Sequence, residues 1–322
     1  MKNNYNKKKI ICIIQARVDS KRFPKKILCD IEGKICIERV IDRVKACKEL
    51  SEIWLATTKL KSDITLEKIA KKKEINIFKG SVLNVLSRFY KISKKTNADT
   101  IVRVTGDCPL IDPSLIKKGI EHFNKRNFDY VSNTIERTYP DGLDLEIFSS
   151  SVLDEAYAKV KHPFLLEHVT PYIHGSSFKN FPKENYKIGQ FKNKINYSKL
   201  RWTLDEKEDL QLLRKLYKKI NDLTPWYQVI KIFKENPMLN SINGHIKHNE
   251  GSILDYGLLK NRKKVSSNRY INSKKLFKKA IKVIPSGAQT FSKSYLQWPI
   301  NVSPTFLKEG KGCIIKDVDN NK

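Results

Sequence analysis

Apolar residues fall into two alternating patterns along the first two-thirds of the chain. Runs that are apolar nearly throughout, beginning with Lys9 to Gln15, read as buried strands, and between them apolar residues recur at helical spacing, as at Ile37, Val40, Ile41 and Val44. The same reading predicts a strand at Ile53 to Ala56, a short helix at Ile64 to Lys72 and a strand at Ile75 to Phe78. A helix at Val82 to Lys94 and a strand at Thr100 to Val104 follow. Strands alternating with helices predict an α/β fold around a mainly parallel sheet. In such sheets ligands bind outside the carboxyl ends of the strands, so the loops that follow each strand are where chemistry is expected.

Composition narrows the class. The 322 residues are 40% hydrophobic, enough for a sizeable core, yet no apolar run approaches the roughly 20 residues that cross a bilayer. The N-terminus is polar and basic, and the apolar stretch from Ile10 to Ile14 is too short for a signal-peptide core, so the cytoplasm is the expected compartment. Six cysteines include no C-x-x-C pair, which favours buried thiols over a zinc site or disulfides. The net charge of +29 would suit a nucleic-acid partner. The excess is mostly lysine scattered over many helix faces, however, so solvated side chains explain it better, with attraction of polyanionic substrates a secondary benefit.

Four segments carry candidate chemistry. The first, Gln15-Ala16-Arg17-Val18-Asp19-Ser20-Lys21-Arg22-Phe23-Pro24-Lys25-Lys26, gathers arginines, lysines and a serine after the first strand. Guanidinium forks grip phosphate oxygens in pairs and ammonium groups add compact charge, so the loop suits a triphosphate. An ordinary basic surface loop has the same composition, and the residues alone leave both readings open. Neither G-x-x-x-x-G-K-[ST] nor G-x-G-x-x-G occurs, which disfavours a P-loop NTPase or a standard dinucleotide dehydrogenase. The second segment, Val104 to Pro113, offers Asp107 as a carboxylate for Mg²⁺. Asp112, ahead of Pro113 and a helical pattern, is the expected N-cap. In the third, Tyr139 to Glu146, period-two spacing on a strand would put Asp144 and Glu146 on one face. The fourth, Leu200 to Leu210, ends a strand and starts an acidic helix; Asp205 is expected to cap that helix, with metal ligation as an alternative or additional role.

Taken in order, these segments resemble the sugar-acid cytidylyltransferases, in particular the branch named for spore-coat polysaccharide biosynthesis. The likeness runs through Ile14 to Lys26, Ala56-Thr57-Thr58, Gly80-Ser81 with Val85 to Phe89, and Thr105 to Leu110. It continues in Pro140 to Asp144, Glu167 to Tyr172 and Arg201 to Asp209. Relatives of this branch include the CMP-KDO and CMP-sialic acid synthetases. The resemblance implies a Rossmann-like sheet of the nucleotide-diphospho-sugar transferase type and attack of a sugar hydroxyl on the α-phosphorus of CTP, releasing pyrophosphate. It implies that Arg17, Ser20, Arg22 and Lys26 neutralise the triphosphate, that Thr57, Thr58 and Ser81 lie near the base, and that Asp107 and Asp205 hold Mg²⁺. Arg17, Arg22, Lys26 and Asp107 would be the catalytic set. Arg137, Asp141, Asp144, Glu146 and His168 fall where the acceptor would bind, although His168 reads slightly better as a buried, hydrogen-bonded histidine. CTP and a sugar acid or amino sugar are the implied partners, with a homodimer expected from kinship. Gln15-Ala16-Arg17 stands where the synthetases proper carry Pro-Ala-Arg, so the acceptor's identity is not carried over. Two readings from other classes stand beside the enzyme: a catalytically idle nucleotide-binding module attached to an aminotransferase, and a nucleic-acid binder.

The pattern changes after about Asn236. Asn240 to Asn268 is rich in Asn, Gly, Lys and Ser and reads as a linker, and residues 251–322 carry 15 Lys and Arg against 4 Asp and Glu. Ser273 to Gly287 and Gly310 to Asn321 then resemble the start of a class III aminotransferase such as glutamate-1-semialdehyde aminomutase. No Schiff-base lysine or phosphate cup follows, so pyridoxal phosphate is expected only in a longer chain. The expected organisation is a nucleotidyltransferase domain at 1–248, a linker at 249–268 and a truncated aminotransferase segment at 269–322.

Overall fold

The computed structural model describes residues 8–20, 22–175, 186–246, 271–283, 306–311 and 314–320; the linker reading at 249–268 lies outside them. The chain divides into two compact units, Met1–His248 and Asn249–Lys322. In the first, β1 (Ile10–Gln15), β4 (Glu52–Thr58), β5 (Asn76–Gly80) and β6 (Thr100–Thr105) form the parallel half of a seven-stranded sheet. Two short strands, β2 (Asp30–Ile31) and β3 (Lys34–Ile35), make a separate hairpin between the first strand and α1 (Cys36–Lys45). The remaining sheet strands are β7 (Tyr130–Ser132), β8 (Glu146–Ser149) and β9 (Ile188–Gln190). β8 runs antiparallel to β6 and to β7, giving the order β5-β4-β1-β6-β8-β7-β9.

This order explains the apolar runs. β1 lies between two parallel neighbours, and Ile11, Cys12, Ile13 and Ile14 are all fully buried, as a strand covered on both faces requires. The helices α2 (Ile64–Lys72) and α4 (Pro113–Lys125) bury their periodic apolar stripes in the core that holds Cys12 and Ile14, while α3 (Val85–Thr96) and α5 (Ser150–Lys159) bury theirs outside that cluster. α3 starts three residues later than its apolar spacing predicts. Asn84 caps it, accepting from Ser87 N at 2.8 Å, while Asn84 N donates to Ser81 Oγ at 3.1 Å, so residues 81–84 are held in a turn. Asp112 is the cap of α4, accepting from Ser114 N at 2.8 Å. It also accepts Trp226 N at 2.7 Å and so holds the first turn of a second helix, Trp226–Glu235.

From β1 the chain moves outward to β4 and β5, then returns to the opposite side of β1 for β6. The carboxyl ends of β1 and β6 therefore flank the topological switch point, where such sheets open a crevice. In the second unit, a helix at Ile271–Val283 is capped by Asp319, whose carboxylate accepts Asn272 N and Ser273 N at 2.5 and 2.8 Å. A hairpin pairs Leu307–Lys311 with Ile314–Asp317. No helix among the described residues is long and apolar enough to cross a membrane.

Candidate active site

The loop after β1 is anchored by a residue that sequence reasoning passed over. Asp63 is buried just before α2, and its Oδ1 accepts Val18 N at 2.7 Å. Its Oδ2 accepts the Thr57 and Thr58 hydroxyls at 2.9 and 2.5 Å and Thr58 N at 3.1 Å. One carboxylate thus ties the loop to the end of β4. The hydroxyls of Thr57 and Thr58, expected beside a base, are used to hold this carboxylate, and both residues are fully buried. Beyond Val18 the loop closes on itself, Lys25 N donating to Val18 O at 3.2 Å. Lys25 adopts φ 58°, which turns Lys26 back toward the sheet.

Lys26 meets the loop after β6 there. Gly106 permits the approach, since a Cβ at that position would lie 2.8 Å from Ala16 Cβ and 2.9 Å from Ile37 Cδ1. The Lys26 ammonium donates to Asp107 Oδ2 at 2.5 Å and to Asp205 Oδ1 at 2.6 Å, and its side chain is only 12% exposed. Burial works against ionising Asp107, but the Lys26 charge and hydrogen bond override it and carry its pKa down to about 2. Burial likewise disfavours the charged Lys26, and Asp107 and Asp205 more than reverse this, raising its pKa. Asp107 also binds the fourth segment through its backbone, its carbonyl accepting Leu204 N at 2.8 Å.

Asp205 does not cap the helix Lys207–Tyr217 that follows it. The N-cap is Glu206, and Asp209 accepts both Glu206 N and Asp205 N at 2.9 Å, so the capping signal was the Glu206-x-x-Asp209 pair one residue further on. The Asp205 carboxylate is left for three cations: Lys26, Arg22 at 2.9 Å and Arg201 at 3.3 Å. Arg201, almost fully buried, is fixed by a two-pronged pair with Asp209, Nε to Oδ1 at 2.9 Å and Nη2 to Oδ2 at 3.0 Å. Asn243 completes this support, donating to Asp209 Oδ1 at 2.8 Å and to the Arg201 carbonyl at 2.9 Å.

Ion pairs continue from Arg201 into the third segment. Arg201 Nη1 lies 3.4 Å from Asp141 Oδ2, Asp141 Oδ1 lies 3.5 Å from Arg137 Nη1, and Arg137 grips Asp144 through both terminal nitrogens. Gly142 makes the contact between these segments possible. It sits at φ 101°, and a Cβ there would be 2.6 Å from Trp202 C and Thr203 N. An unbroken chain of charges therefore runs Asp107, Lys26, Asp205, Arg201, Asp141, Arg137, Asp144, joining all four segments, with Arg22 beside it.

Other expected site residues are engaged elsewhere. Glu146 does not share a strand face with Asp144, because β8 begins only at Glu146. Its buried carboxylate pairs with Arg103 and accepts the hydroxyls of Tyr130 at 2.6 Å and Thr170 at 2.5 Å, while Arg103 also reaches Gln15 Oε1 at 3.1 Å. This network braces the ends of β1, β6 and β8. Thr170 reaches it through a tight turn centred on Val169, at φ 69°, ψ −61°, in which Thr170 N donates to His168 O at 2.8 Å. His168 packs against Phe164 with the two rings tilted and their centroids 4.3 Å apart. Arg17 lies 3.7 Å from Glu167, Ser20 is half-buried, and Ser81 is exposed in the turn before α3. No group of three or more His, Cys, Asp or Glu side chains that could hold a metal occurs among the described residues. The Asp107 and Asp205 pair offers two hard oxygen ligands converging on one cation, which suits a Mg²⁺ that takes its other ligands from phosphate and water.

The sequence pattern of the Cytidylyltransferase family matches residues 11–238. The chain belongs to that family. This cytidylyltransferase domain is 30% identical over 223 residues to the spore coat polysaccharide biosynthesis protein SpsF of Bacillus subtilis, covering 66% of this chain and 88% of that one. It is 25% identical over 185 residues to an 8-amino-3,8-dideoxy-manno-octulosonate cytidylyltransferase of a Shewanella strain, covering 52% and 76%. A solved cytidylyltransferase structure from Leptospira borgpetersenii superposes with a TM-score of 0.68 at 30% identity, over 74% of this chain and 98% of that one. All charged residues of the chain from Asp107 to Asp144 lie within the family match, as do Arg22 and Asp209.

Proposed function

We propose that the first unit transfers CMP from CTP to the hydroxyl of a sugar acid, releasing pyrophosphate, as a step in surface-polysaccharide synthesis. The observation that carries this reading is the Lys26 ammonium held between Asp107 and Asp205 at the switch point of the sheet, in a chain of the cytidylyltransferase family. Arg17, Ser20, Arg22 and Lys26 act on the triphosphate. Asp107 and Asp205 hold Mg²⁺ with it, and the metal when bound supplies electrophilic polarisation of the reacting phosphate. Lys26 then exchanges its carboxylate partners for phosphate oxygens, a short move for a flexible ammonium already charged at neutral pH. Thr57 and Thr58 act indirectly, through Asp63 and the loop it anchors, and Ser81 stays near the base. Arg137, Asp141 and Asp144 face the acceptor, with His168 at its margin, and Glu146 braces the strands beneath them.

The reading extends to a cytoplasmic enzyme, where nucleoside triphosphates are available, that works as a homodimer. Residues 269–322 are taken as the start of an aminotransferase-like segment on the resemblance of Ser273 to Gly287 and Gly310 to Asn321, with pyridoxal phosphate used only where a Schiff-base lysine is present. The test offers each of the four nucleoside triphosphates, with and without Mg²⁺, against a panel of sugar acids and amino sugars while pyrophosphate is monitored. Release with CTP and Mg²⁺ and one acceptor is expected. CTP binding with no release from any member of a broad panel would count against catalysis and favour an idle nucleotide-binding module.

A further inference from the structure

Arg88 is a buried cation that forms no ion pair among the described residues. It lies on α3 with 2% of its surface exposed, and its stem passes over Gly80, where a Cβ would come within 2.6 Å of Arg88 Cγ. Its Nη1 donates to Ala56 O at 3.1 Å, at the carboxyl end of β4, while Nε is buried with no hydrogen-bond partner. No carboxylate among the described residues forms an ion pair with it. Asp63, a buried acid whose charge acts on Arg88, already accepts Val18 N, the Thr57 and Thr58 hydroxyls and Thr58 N. Glu167 pairs with Arg17 instead, at 3.7 Å and half in solvent. Burial and the neighbouring Arg17 guanidinium both press Arg88 below the ordinary arginine range, to about 10. An isolated buried charge is costly, and burial in proteins normally comes with a partner. Ala56 O also accepts Ala16 N at 3.2 Å, so Arg88 reaches the carboxyl end of β4 where the Arg17 loop begins, and a buried guanidinium left with an open donor there describes a site for an anion that arrives from outside.

We propose that Arg88 is a nucleotide ligand that, with Arg17, binds phosphate oxygens of the incoming triphosphate. This rests on the reading of the loop after β1 as the triphosphate site and adds a residue from a different element to it. A residue kept for its ligand rather than for the fold has a distinctive signature: removing its charge weakens binding without lowering the stability of the empty protein.

The test uses the full chain with Arg88→Met and Arg88→Lys, measuring thermal melting without ligand and calorimetric affinity for tripolyphosphate and for CTP with Mg²⁺. The expected result for Arg88→Met is a melting temperature equal to or above that of the wild type. Affinity for both ligands falls by at least about tenfold and by the same factor. Arg88→Lys, which keeps a charge and loses the fork, falls between the two. Unchanged tripolyphosphate affinity in a folded Arg88→Met would overturn the proposal, and so would loss of CTP binding alone, which would assign the guanidinium to the nucleoside. If Arg88→Met does not fold, wild-type affinity in Arg88→Lys would overturn it. Failure of the wild type to bind either ligand would instead remove the triphosphate reading of the loop itself.

Discussion

Replacing Lys26 with methionine removes the ammonium shared by Asp107 and Asp205 while keeping most of the side chain's apolar bulk. The two carboxylate oxygens that contact it lie no more than about 5 Å apart. At an effective dielectric of about 20, like charges at that separation repel by about 3 kcal/mol. Asp205 retains Arg22 and Arg201, whereas among the described residues Asp107 has Lys26 as its ion-pair partner. Asp107 is therefore the group that responds. In the wild type its pKa of about 2 contributes stability that is present above the unfolded value near 4 and is lost as the pH falls through 2. In the variant its pKa rises, so the folded state is penalised at neutral pH and relieved as the group takes up a proton. The stability gap is then largest at pH 7, about 3–5 kcal/mol, as for other broken buried pairs, and narrows to about 1 kcal/mol at pH 3. For a unit of this size the neutral-pH gap is a drop of about 10 °C in melting temperature. Melting followed by circular dichroism from pH 3 to 8 measures it, and added Mg²⁺ should restore more stability to the variant than it gives the wild type. Equal melting at pH 7 with a flat profile would refute the electrostatic role given to Lys26, and indifference to Mg²⁺ would refute the carboxylate pair as a cation site.

Three other substitutions separate roles that look alike in the sequence. Asp107→Asn should lower kcat/KM by at least about 100-fold while the protein stays folded, because it removes a charged group from the reaction centre; steady-state pyrophosphate release measures it. Asp112→Ala should leave turnover within about threefold at low temperature but lose about 2 kcal/mol, one cap from α4 and one from the helix at Trp226–Glu235, read by denaturant titration. Comparable loss of turnover in both folded variants would reverse the assignment. Gly142→Ala, forced to φ 101° with its Cβ against Trp202 and Thr203, should cost at least about 2 kcal/mol and raise KM for the acceptor more than for CTP.

The parallel half of the sheet was legible because each of its strands carries a short apolar stretch followed by a helical period, and that pattern also located the loops. Asp112 was legible as a cap because capping is a local event, fixed by the proline and helix that follow it. The strands at Tyr130–Ser132 and Ile188–Gln190 are three residues long, too short to show a period, so the antiparallel half was missed. The ion pairs were illegible for another reason. Lys26 and Asp205 are 179 positions apart, and only the sheet order brings their loops together. Local reasoning gave Asp205 the cap because an acid before a helix usually takes it, and one residue's difference in where the helix Lys207–Tyr217 starts freed its carboxylate for the site. Asp63 and Arg201 gave no signal alone, since a buried acid that anchors a loop and a buried arginine that aligns one look like any other charged residue until their partners are known.

The proposed reaction cleaves CTP between its α- and β-phosphates, with capture of the CMP moiety by a sugar acid. Incubation of the full chain with Mg²⁺, a sugar-acid panel and CTP labelled on either the α- or the γ-phosphorus tests it directly. The expected result is that the α label moves to a sugar and the γ label leaves as pyrophosphate. Release of the γ label as inorganic phosphate, or its transfer to the sugar while the α label stays on the free nucleotide, would contradict it.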